Sequence, residues 1–600
     1  MGGPDLGADL VDMFERSVAR GGDRPFLRQK VGGAWQALSW RETALRVQLA
    51  ARALRDAGLE PGDRVLLVAE NRPEWCIADL AILQAGGVTV PAYTTSTADD
   101  YAYLIEHSGA RLAIVSGKPF GQRVAQAIGR SDGVRVVIWL DQGERREIGG
   151  RREITWADAL TRAAALPEMP SRRLGKNALA CLIYTSGTGG RPKGVMLSHG
   201  NLMANIEGAW HLLEEIGLGD DRFLSFLPLS HAYEHTAGQF LPIAMGAEIW
   251  YAESIETVRS NLVEAQPTIV ACVPRLYEVM RQRIQGEVDR KGGLTKRLLD
   301  RAVLLGRKRW EGRPLSLLER LQDRVLERLV RDKIRARFGG RLKALVSGGA
   351  PLNYDVGMFF LALGLPILQG YGQTEASPVV SVNPPKRPRL ETVGPPLQGV
   401  QVKIAPDGEI LLRGALVMQG YWRDPDATLQ ALQDGWLHTG DVGAIDPDGY
   451  LRITDRKKDI IVNSGGDNVA PQKVEGVLLL RPEIGQVAVF GDKKPFLVAL
   501  IVPHADWAKT YAQAHGLDPS LATLCRHPGF RETIGAAVAA ANASLSAIER
   551  IRSFELVDEP FSVDNGLMTP TLKIRRGEVA KRFTAEIERL YGPRGERSAA

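Results

Sequence analysis

Between residues 40 and 140, short apolar runs alternate with helical stretches rich in Ala, Leu and Arg. Val65 to Ala69 and Ala113 to Val115 are such runs, bounded by Gly, Pro and Asp; apolar residues in sequence between turn formers predict strands buried on both faces. The rhythm returns from Ala178 to Pro274, where Leu179 to Tyr184, Phe223 to Leu227 and Thr268 to Val273 each lead into a glycine, proline or histidine turn. Strand and helix in alternation predict a parallel α/β architecture. Ligands in such sheets bind in the loops beyond the carboxyl ends of the strands.

From 281 to 343 the pattern becomes helical and basic. Twenty Lys and Arg stand against eight Asp and Glu there, a net +12 that leaves the rest of the chain acidic, since the whole chain carries +6. Pro314 and Gly339-Gly340 are placed to start and stop a helix, and Leu318, Leu321, Val325 and Leu329 recur between them at three- and four-residue steps. The recurrence predicts a helical hairpin with one face laid on the core, and its charge makes it a candidate for contact with an anionic membrane, Arg307 to Arg309 foremost. After Gly399, Asp407-Gly408 and Asp448-Gly449 punctuate short alternating segments, a pattern of small antiparallel β-structure. A charged cluster from Asp455 to Asp459 precedes a last stretch with strands at Gly485 to Phe490 and Leu497 to Val502, as a second, smaller domain requires.

Composition narrows the function classes. Six hundred residues, 44% hydrophobic and 24% charged with mean hydropathy -0.12, describe a multidomain globular protein. A net charge of +6 at this length gives no ground for nucleic-acid binding. Cys76, Cys181, Cys272 and Cys525 show no CxxC spacing and none of the nine histidines sits in an HExxH pattern, so neither a disulfide framework nor a zinc site is indicated and a reducing, cytoplasmic setting is expected. No apolar run reaches membrane-spanning length and the N-terminus lacks a signal-peptide pattern, so any membrane contact is expected to be peripheral.

The strongest chemical signal is Tyr184-Thr-Ser-Gly-Thr-Gly-Gly-Arg-Pro-Lys-Gly194, directly after a buried run. Thr185, Ser186 and Thr188 bring hydroxyls, Gly187 and Gly189 let the main chain approach closely, and Lys193 brings a cation, the set that a polyphosphate calls for. A P-loop would place Ser or Thr after the lysine, whereas Gly194 follows here.

With this loop and the segments that follow it, the chain resembles the adenylate-forming superfamily of acyl-CoA synthetases and luciferase-like enzymes. The matching segments are Phe226-Leu-Pro-Leu-Ser-His-Ala-Tyr-Glu234, Val346-Ser-Gly-Gly-Ala-Pro-Leu352, Gln369-Gly-Tyr-Gly-Gln-Thr-Glu375, Trp436-Leu-His-Thr-Gly-Asp-Val-Gly443, Thr454-Asp-Arg-Lys-Lys-Asp459, Asn463-Ser-Gly-Gly-Asp-Asn-Val-Ala-Pro471 and Met568-Thr-Pro-Thr-Leu-Lys573, in order along almost the whole chain. The resemblance implies an α/β fold: a large N-terminal domain of parallel α/β subdomains with a small β-barrel-like subdomain, residues 1–455, and a smaller mobile α+β domain, 456–600. It implies that a carboxylate attacks the α-phosphorus of ATP and that a thiol then displaces AMP.

Site residues follow by the same resemblance. Glu375 and Thr185 would hold Mg²⁺; Gly348, Gly349, Ala350, Tyr371, Gly372 and Thr374 would form the adenine wall and its turn. Asp441 and Arg456 would bind the ribose, and His231 would stand beside the carboxylate. Lys573 would stabilise adenylation from the small domain, Lys458 would be the hinge, and Ser464, Gly465 and Gly466 would line the CoA tunnel. Gly189-Gly190 departs from the Thr-Thr-Gly of many relatives, which implies an altered ATP affinity. The basic insertion resembles that of the synthetases acting on long-chain fatty acids, so the expected reaction makes acyl-CoA from such an acid, ATP and CoA. A ligase for another hydrophobic carboxylate, an acyl-AMP ligase serving an acyl carrier protein, and an inactive lipid binder are the alternatives.

Overall fold

The computed structural model describes residues 3–141, 148–185, 191–254, 256–457, 459–465, 467–563, 565–569 and 573–592. The chain divides into two units, one of residues 1–185, 192–439 and 444–452, the other of 186–191, 440–443 and 453–600.

The first unit holds two eight-stranded sheets and a small antiparallel one. In one large sheet, the strands Ala344–Ser347, Ile269–Cys272, Arg222–Ser225, Glu248–Tyr251 and Pro25–Val31 run parallel in that spatial order, with Ile367–Gly372 beyond Ala344–Ser347. The other has a parallel core from Leu179–Thr185 through Val88–Pro91, Arg64–Val68, Leu112–Val115 and Val136–Trp139 to Arg152–Thr155. Its central strands are buried along almost their whole length, which is why they read as unbroken apolar runs. The small antiparallel sheet includes Gln401–Ile404, Glu409–Arg413 and Trp436–Ile445, where the Asp-Gly turns predicted it.

One buried polar network locks the layers of this unit together. Asp79, on the helix Pro73–Ala85, accepts hydrogen bonds from Thr89 Oγ1 at 2.7 Å, His235 Nε2 at 2.8 Å and Gln239 Nε2 at 2.7 Å. His235 and Gln239 lie on the π-helical turn Glu234–Phe240, so the carboxylate that burial would otherwise penalise fixes the segment following His231.

The helical insertion is present, and one expectation about it is corrected. Pro274–Lys291 and Gly293–Trp310 are followed by Leu317–Leu326, a π-turn Glu327–Arg331 and Asp332–Arg337. Leu318, Leu321, Val325 and Leu329 face solvent, not the core. The face turned inward carries Asp323, Leu326 and Arg331, because Arg331 donates to the carbonyls of Ala302 at 2.8 Å and Ala362 at 2.9 Å while Asp323 takes its charge at 2.7 Å. A buried ion pair replaces the leucine seam that spacing predicts. Arg307, Lys308 and Arg309 are likewise paired, with Glu311, Glu319 and Asp323.

In the second unit, Ile484–Phe490, Leu497–Pro503 and Ile551–Leu556 form a three-stranded sheet. Val487, Val489, Ala499 and Ile501 pack on one side with the helix Pro528–Asn542; Ala488, Val498, Leu500 and Val502 pack on the other with Val579 and Leu590. The two-residue side-chain alternation of a strand thus feeds two cores. Among the described residues, no helix is long and apolar enough to cross a membrane.

Candidate active site

Thr185 and Lys193 face each other as the last antiparallel pair of the strands Leu179–Thr185 and Lys193–Ser198, so both ends of the loop between them are pinned. Ser186, Gly187, Thr188 and Gly189 lie outside the described residues, as do Lys458 and Gly466. The short strand Gly420–Tyr421 pairs with the outer edge of Lys193–Ser198, Tyr421 opposite Val195. This brings the Tyr421 ring centroid to 4.9 Å from Lys193 Nζ, while the Tyr421 hydroxyl donates to Glu375 Oε1 at 2.8 Å. One tyrosine therefore holds the loop's cation and the predicted metal carboxylate on a single frame. Burial first, and the Glu375 charge next, drive the Tyr421 phenol far above its ordinary range, so it remains a proton donor.

Glu375 sits on the one-turn 3-10 helix Thr374–Ala376, just past the strand Ile367–Gly372. Gly372 is obligatory there, since a Cβ would meet the Pro378 carbonyl oxygen at 1.8 Å. Tyr371, the penultimate residue of the strand Ile367–Gly372, and the Gly348-Gly349-Ala350 turn, which follows the neighbouring strand Ala344–Ser347, lie at the carboxyl edge of the sheet. That is where an open α/β sheet offers a ligand crevice. Gly349 has a φ of +81°, which a side chain would strain.

His231 is half-buried, and its Nδ1 accepts the Tyr233 backbone N–H at 3.2 Å, which assigns the ring proton to Nε2. The Tyr233 hydroxyl donates to the Val346 carbonyl at 2.9 Å, and its ring stands 3.2 Å from where a Gly348 Cβ would be. Tyr233 thus links the histidine turn to the Gly348 turn. Beside it, Glu234 is 1% exposed and neither carboxyl oxygen has a hydrogen-bond partner among the described residues. Burial pushes its pKa up to about 8, the nearby Ser225 hydroxyl offsetting little, so it is mostly neutral at pH 7.

In the second unit, Asp441 is buried and accepts Arg456 Nε at 2.8 Å. Asp455 is pushed up to about 6, by desolvation first, with the charges of Asp459 and Asp441 adding to it. Lys573 is exposed as a residue, and its ammonium is pushed below the usual lysine range by desolvation first and by the Arg456 charge next. Backbone hydrogen bonds between Thr569 and Lys573 and the bridge from Met568 to Ile574 close its loop. Ser464 and Gly465 form a turn in which Asn463 Oδ1 accepts the Gly465 N–H at 2.9 Å.

Tyr421, Tyr233 and Glu234 have no role in the sequence reading. Tyr233 and Glu234 fall inside a matched segment, where only their burial distinguishes them. Tyr421 lies in no matched segment, and its position depends on a strand pairing across more than 200 residues.

Comparison with known proteins fits this geometry. The AMP-binding enzyme family pattern matches residues 14–422, and the AMP-binding enzyme C-terminal domain matches 458–594. The chain is 36% identical over 585 residues to the long-chain-fatty-acid–CoA ligase FadD15 of Mycobacterium tuberculosis, covering 95% of this chain and 94% of that protein. It is 31% identical over 615 residues to the mouse long-chain-fatty-acid–CoA ligase 6, covering 97% and 86%. Among solved structures, the adenylation domain of a carboxylate reductase from Mycobacterium chelonae superimposes with a TM-score of 0.78 at 23% identity, over 98% of this chain and 92% of that one. That last likeness concerns the fold.

Proposed function

The chain belongs to the AMP-binding enzymes, and from that premise we propose that it joins a long-chain fatty acid to CoA with ATP as the driving co-substrate. The fatty carboxylate attacks the α-phosphorus of ATP, pyrophosphate leaves, and the CoA thiol displaces AMP from the acyl adenylate. The observation that carries the geometric side of this reading is the Lys193–Tyr421–Glu375 arrangement, a cation and a carboxylate braced at the mouth of a glycine- and hydroxyl-rich loop. Bringing a carboxylate to a polyphosphate is resisted chiefly by charge, so neutralisation and positioning are the protein's main tasks.

Lys193 and the loop residues Thr185, Ser186, Gly187, Thr188 and Gly189 take the phosphates. Gly348, Gly349, Ala350, Tyr371, Gly372 and Thr374 form the adenine site. Asp441 and Arg456, an acceptor and a donor fixed side by side, suit the vicinal hydroxyls of a ribose. His231, its proton on Nε2, orients the fatty carboxylate. Lys573 approaches the reacting oxygens during adenylation, where its ammonium would stabilise the developing negative charge. Thr185 and Glu375 are hard oxygen donors, the type Mg²⁺ takes. Bound there, the ion would screen phosphate charge. We place the domain division at 455/456 and the hinge at Lys458, with the small domain turning after adenylation to present Ser464, Gly465 and Gly466 to CoA. Peripheral contact with the inner face of a membrane through the basic insertion would let the enzyme collect its amphiphilic substrate.

The test is formation of AMP and acyl-CoA from ATP, Mg²⁺ and CoA across acids from acetate to very long chains. A maximum at long chains supports the reading; AMP without acyl-CoA transfers it to a carrier-protein acceptor.

A further inference from the structure

The helix Leu317–Leu326 is amphipathic in the reverse of the usual sense. Its start is fixed by a capping box between Ser316 and Glu319, and its polar side is the one that faces the protein. Glu319 accepts Lys308 at 2.7 Å, Gln322 accepts Arg301 at 2.9 Å, and Asp323 Oδ2 accepts Arg309 at 3.1 Å while its Oδ1 lies 2.7 Å from the Arg331 guanidinium as an ion pair. Arg331, fully buried, ties the following π-turn to main-chain carbonyls of two other helices. The helix is thus held in place through its charged side, and its apolar side remains outside.

That outer side is continuous. Leu317, Leu318, Leu321, Val325 and Leu329 are 84%, 66%, 61%, 50% and 46% exposed, at the three- and four-residue steps that align side chains on one helix face. They are five of the seventeen large apolar side chains exposed among the described residues, and the other twelve are spread over the rest of the chain. An exposed apolar row this long is a contact surface and not ordinary surface scatter.

Its border indicates what it contacts. Arg320, Arg324 and Arg328, four residues apart, run alongside the row; all three are exposed and make no ion pair among the described residues, Arg320 donating only to the Leu315 carbonyl. The arginines and lysine at 307–309, which the sequence singles out, are neutralised by their pairing and are not the charges on offer. Leucines beside unneutralised arginines match a surface of hydrocarbon beside phosphate. The segment 281–343 carries +12 and the remainder of the chain −6, from +6 less +12, so an anionic surface attracts this segment more than the remainder.

We propose that the outer face of Leu317–Leu329 seats on an anionic phospholipid bilayer, the apolar row entering the headgroup boundary and the Arg320, Arg324 and Arg328 row meeting lipid phosphates. The proposal specifies the face and lipid chemistry of the membrane contact suggested above, and rests on that reading.

Flotation of the full chain with vesicles tests it, using phosphatidylcholine alone and phosphatidylcholine with about one-third phosphatidylglycerol. Three variants are compared with the natural chain: L318E/L321E, R320Q/R324Q/R328Q, and L429E, which charges another exposed leucine. The leucine pair is expected to weaken partitioning into both vesicle types by at least about tenfold. Removing the arginines is expected to weaken binding to the anionic vesicles by about fivefold per residue, roughly a hundredfold together, and to leave binding to the neutral ones unchanged. L429E should bind like the natural chain. Undiminished binding by both multiple variants overturns the proposal. So does a concentration-dependent dimer that L318E/L321E abolishes without vesicle binding, since the face would then belong to a second copy. Acyl-CoA formation from octanoate in vesicle-free buffer is read in parallel on every variant; it shows that each is folded. Flotation decides the docking whichever acid the enzyme prefers, so failure of the long-chain reading and failure of the docking register in separate assays.

Discussion

Replacing Glu234 by Gln keeps the shape of a fully buried side chain and removes its titration. The carboxyl lies against Gly238, where a Cβ would fall 2.4 Å from its carbon, and burial raises its pKa from 4.5 to about 8. The folded protein therefore holds this proton to higher pH than the unfolded chain does. Its stability is unaffected below about pH 4.5, declines by about 1.4 kcal/mol per pH unit as the unfolded carboxyl ionises, and levels off above pH 8. The accumulated cost is about 3 kcal/mol at pH 7 and about 5 kcal/mol at pH 9. Gln bears none of it, and any penalty for burying its amide does not vary with pH. Urea unfolding of both proteins from pH 5 to 9, followed by tryptophan fluorescence, should show the variant gaining on the natural chain up to pH 8 and holding its advantage beyond. A difference constant within about 0.5 kcal/mol over that range would mean that the carboxylate is solvated or paired, and the neutral assignment would fall. Gly238→Ala provides a second arm: it should destabilise by displacing the carboxyl, and Glu234→Ala should largely relieve it.

The remaining predictions concern the reaction. Lys573→Ala should lower ATP–pyrophosphate exchange by about 10² or more while thioester formation from supplied acyl adenylate persists; equal loss of both half-reactions would remove Lys573 from adenylation. Lys458→Pro should do the opposite if the proposed hinge lies there, because proline would stiffen it; unchanged thioester formation would exclude that position from the mechanism. Tyr421→Phe keeps the ring near Lys193 but withdraws the donor from Glu375, a charged hydrogen bond of about 1.5–3 kcal/mol. Exchange should fall about tenfold or more, and an unaltered rate would show that Glu375 needs no brace.

Much of the fold is legible in the sequence because parallel strands buried on both faces admit little but apolar residues. Leu179 to Tyr184 reads as a strand and is one, Leu179–Thr185, and the run from Thr268 to Val273 contains Ile269–Cys272. The Asp-Gly turns mark the small antiparallel sheet for a similar reason: few residues take up those backbone angles. What stays hidden depends on partners distant in the chain. The outward leucines of Leu317–Leu329 have the spacing of a core helix, and only Arg331 reaching two backbone carbonyls reveals which side is buried. The neutral state of Glu234 is likewise a property of its surroundings, for the letter alone denotes a charge. Tyr421 is a tyrosine in an unremarked segment until its two-residue strand is seen beside Lys193–Ser198.

That two-residue strand also has a bearing on biosynthesis. Lys193–Ser198 is flanked on one side by Leu179–Thr185 and on the other by Gly420–Tyr421, so a ribosome must translate some 220 further codons before the second neighbour exists. At about 5–20 residues per second this leaves the edge bare for roughly ten to forty seconds. During that interval the nascent chain presents unpaired main-chain groups to other nascent chains, as open sheet edges do. Chains stalled before Gly420 should be cut faster between Lys193 and Ser198 in limited proteolysis than completed, released chains, and equal cleavage would show that the edge is shielded some other way. Assembly of the frame that pins Thr185 and Lys193 is thus timed by the translation of a segment far downstream.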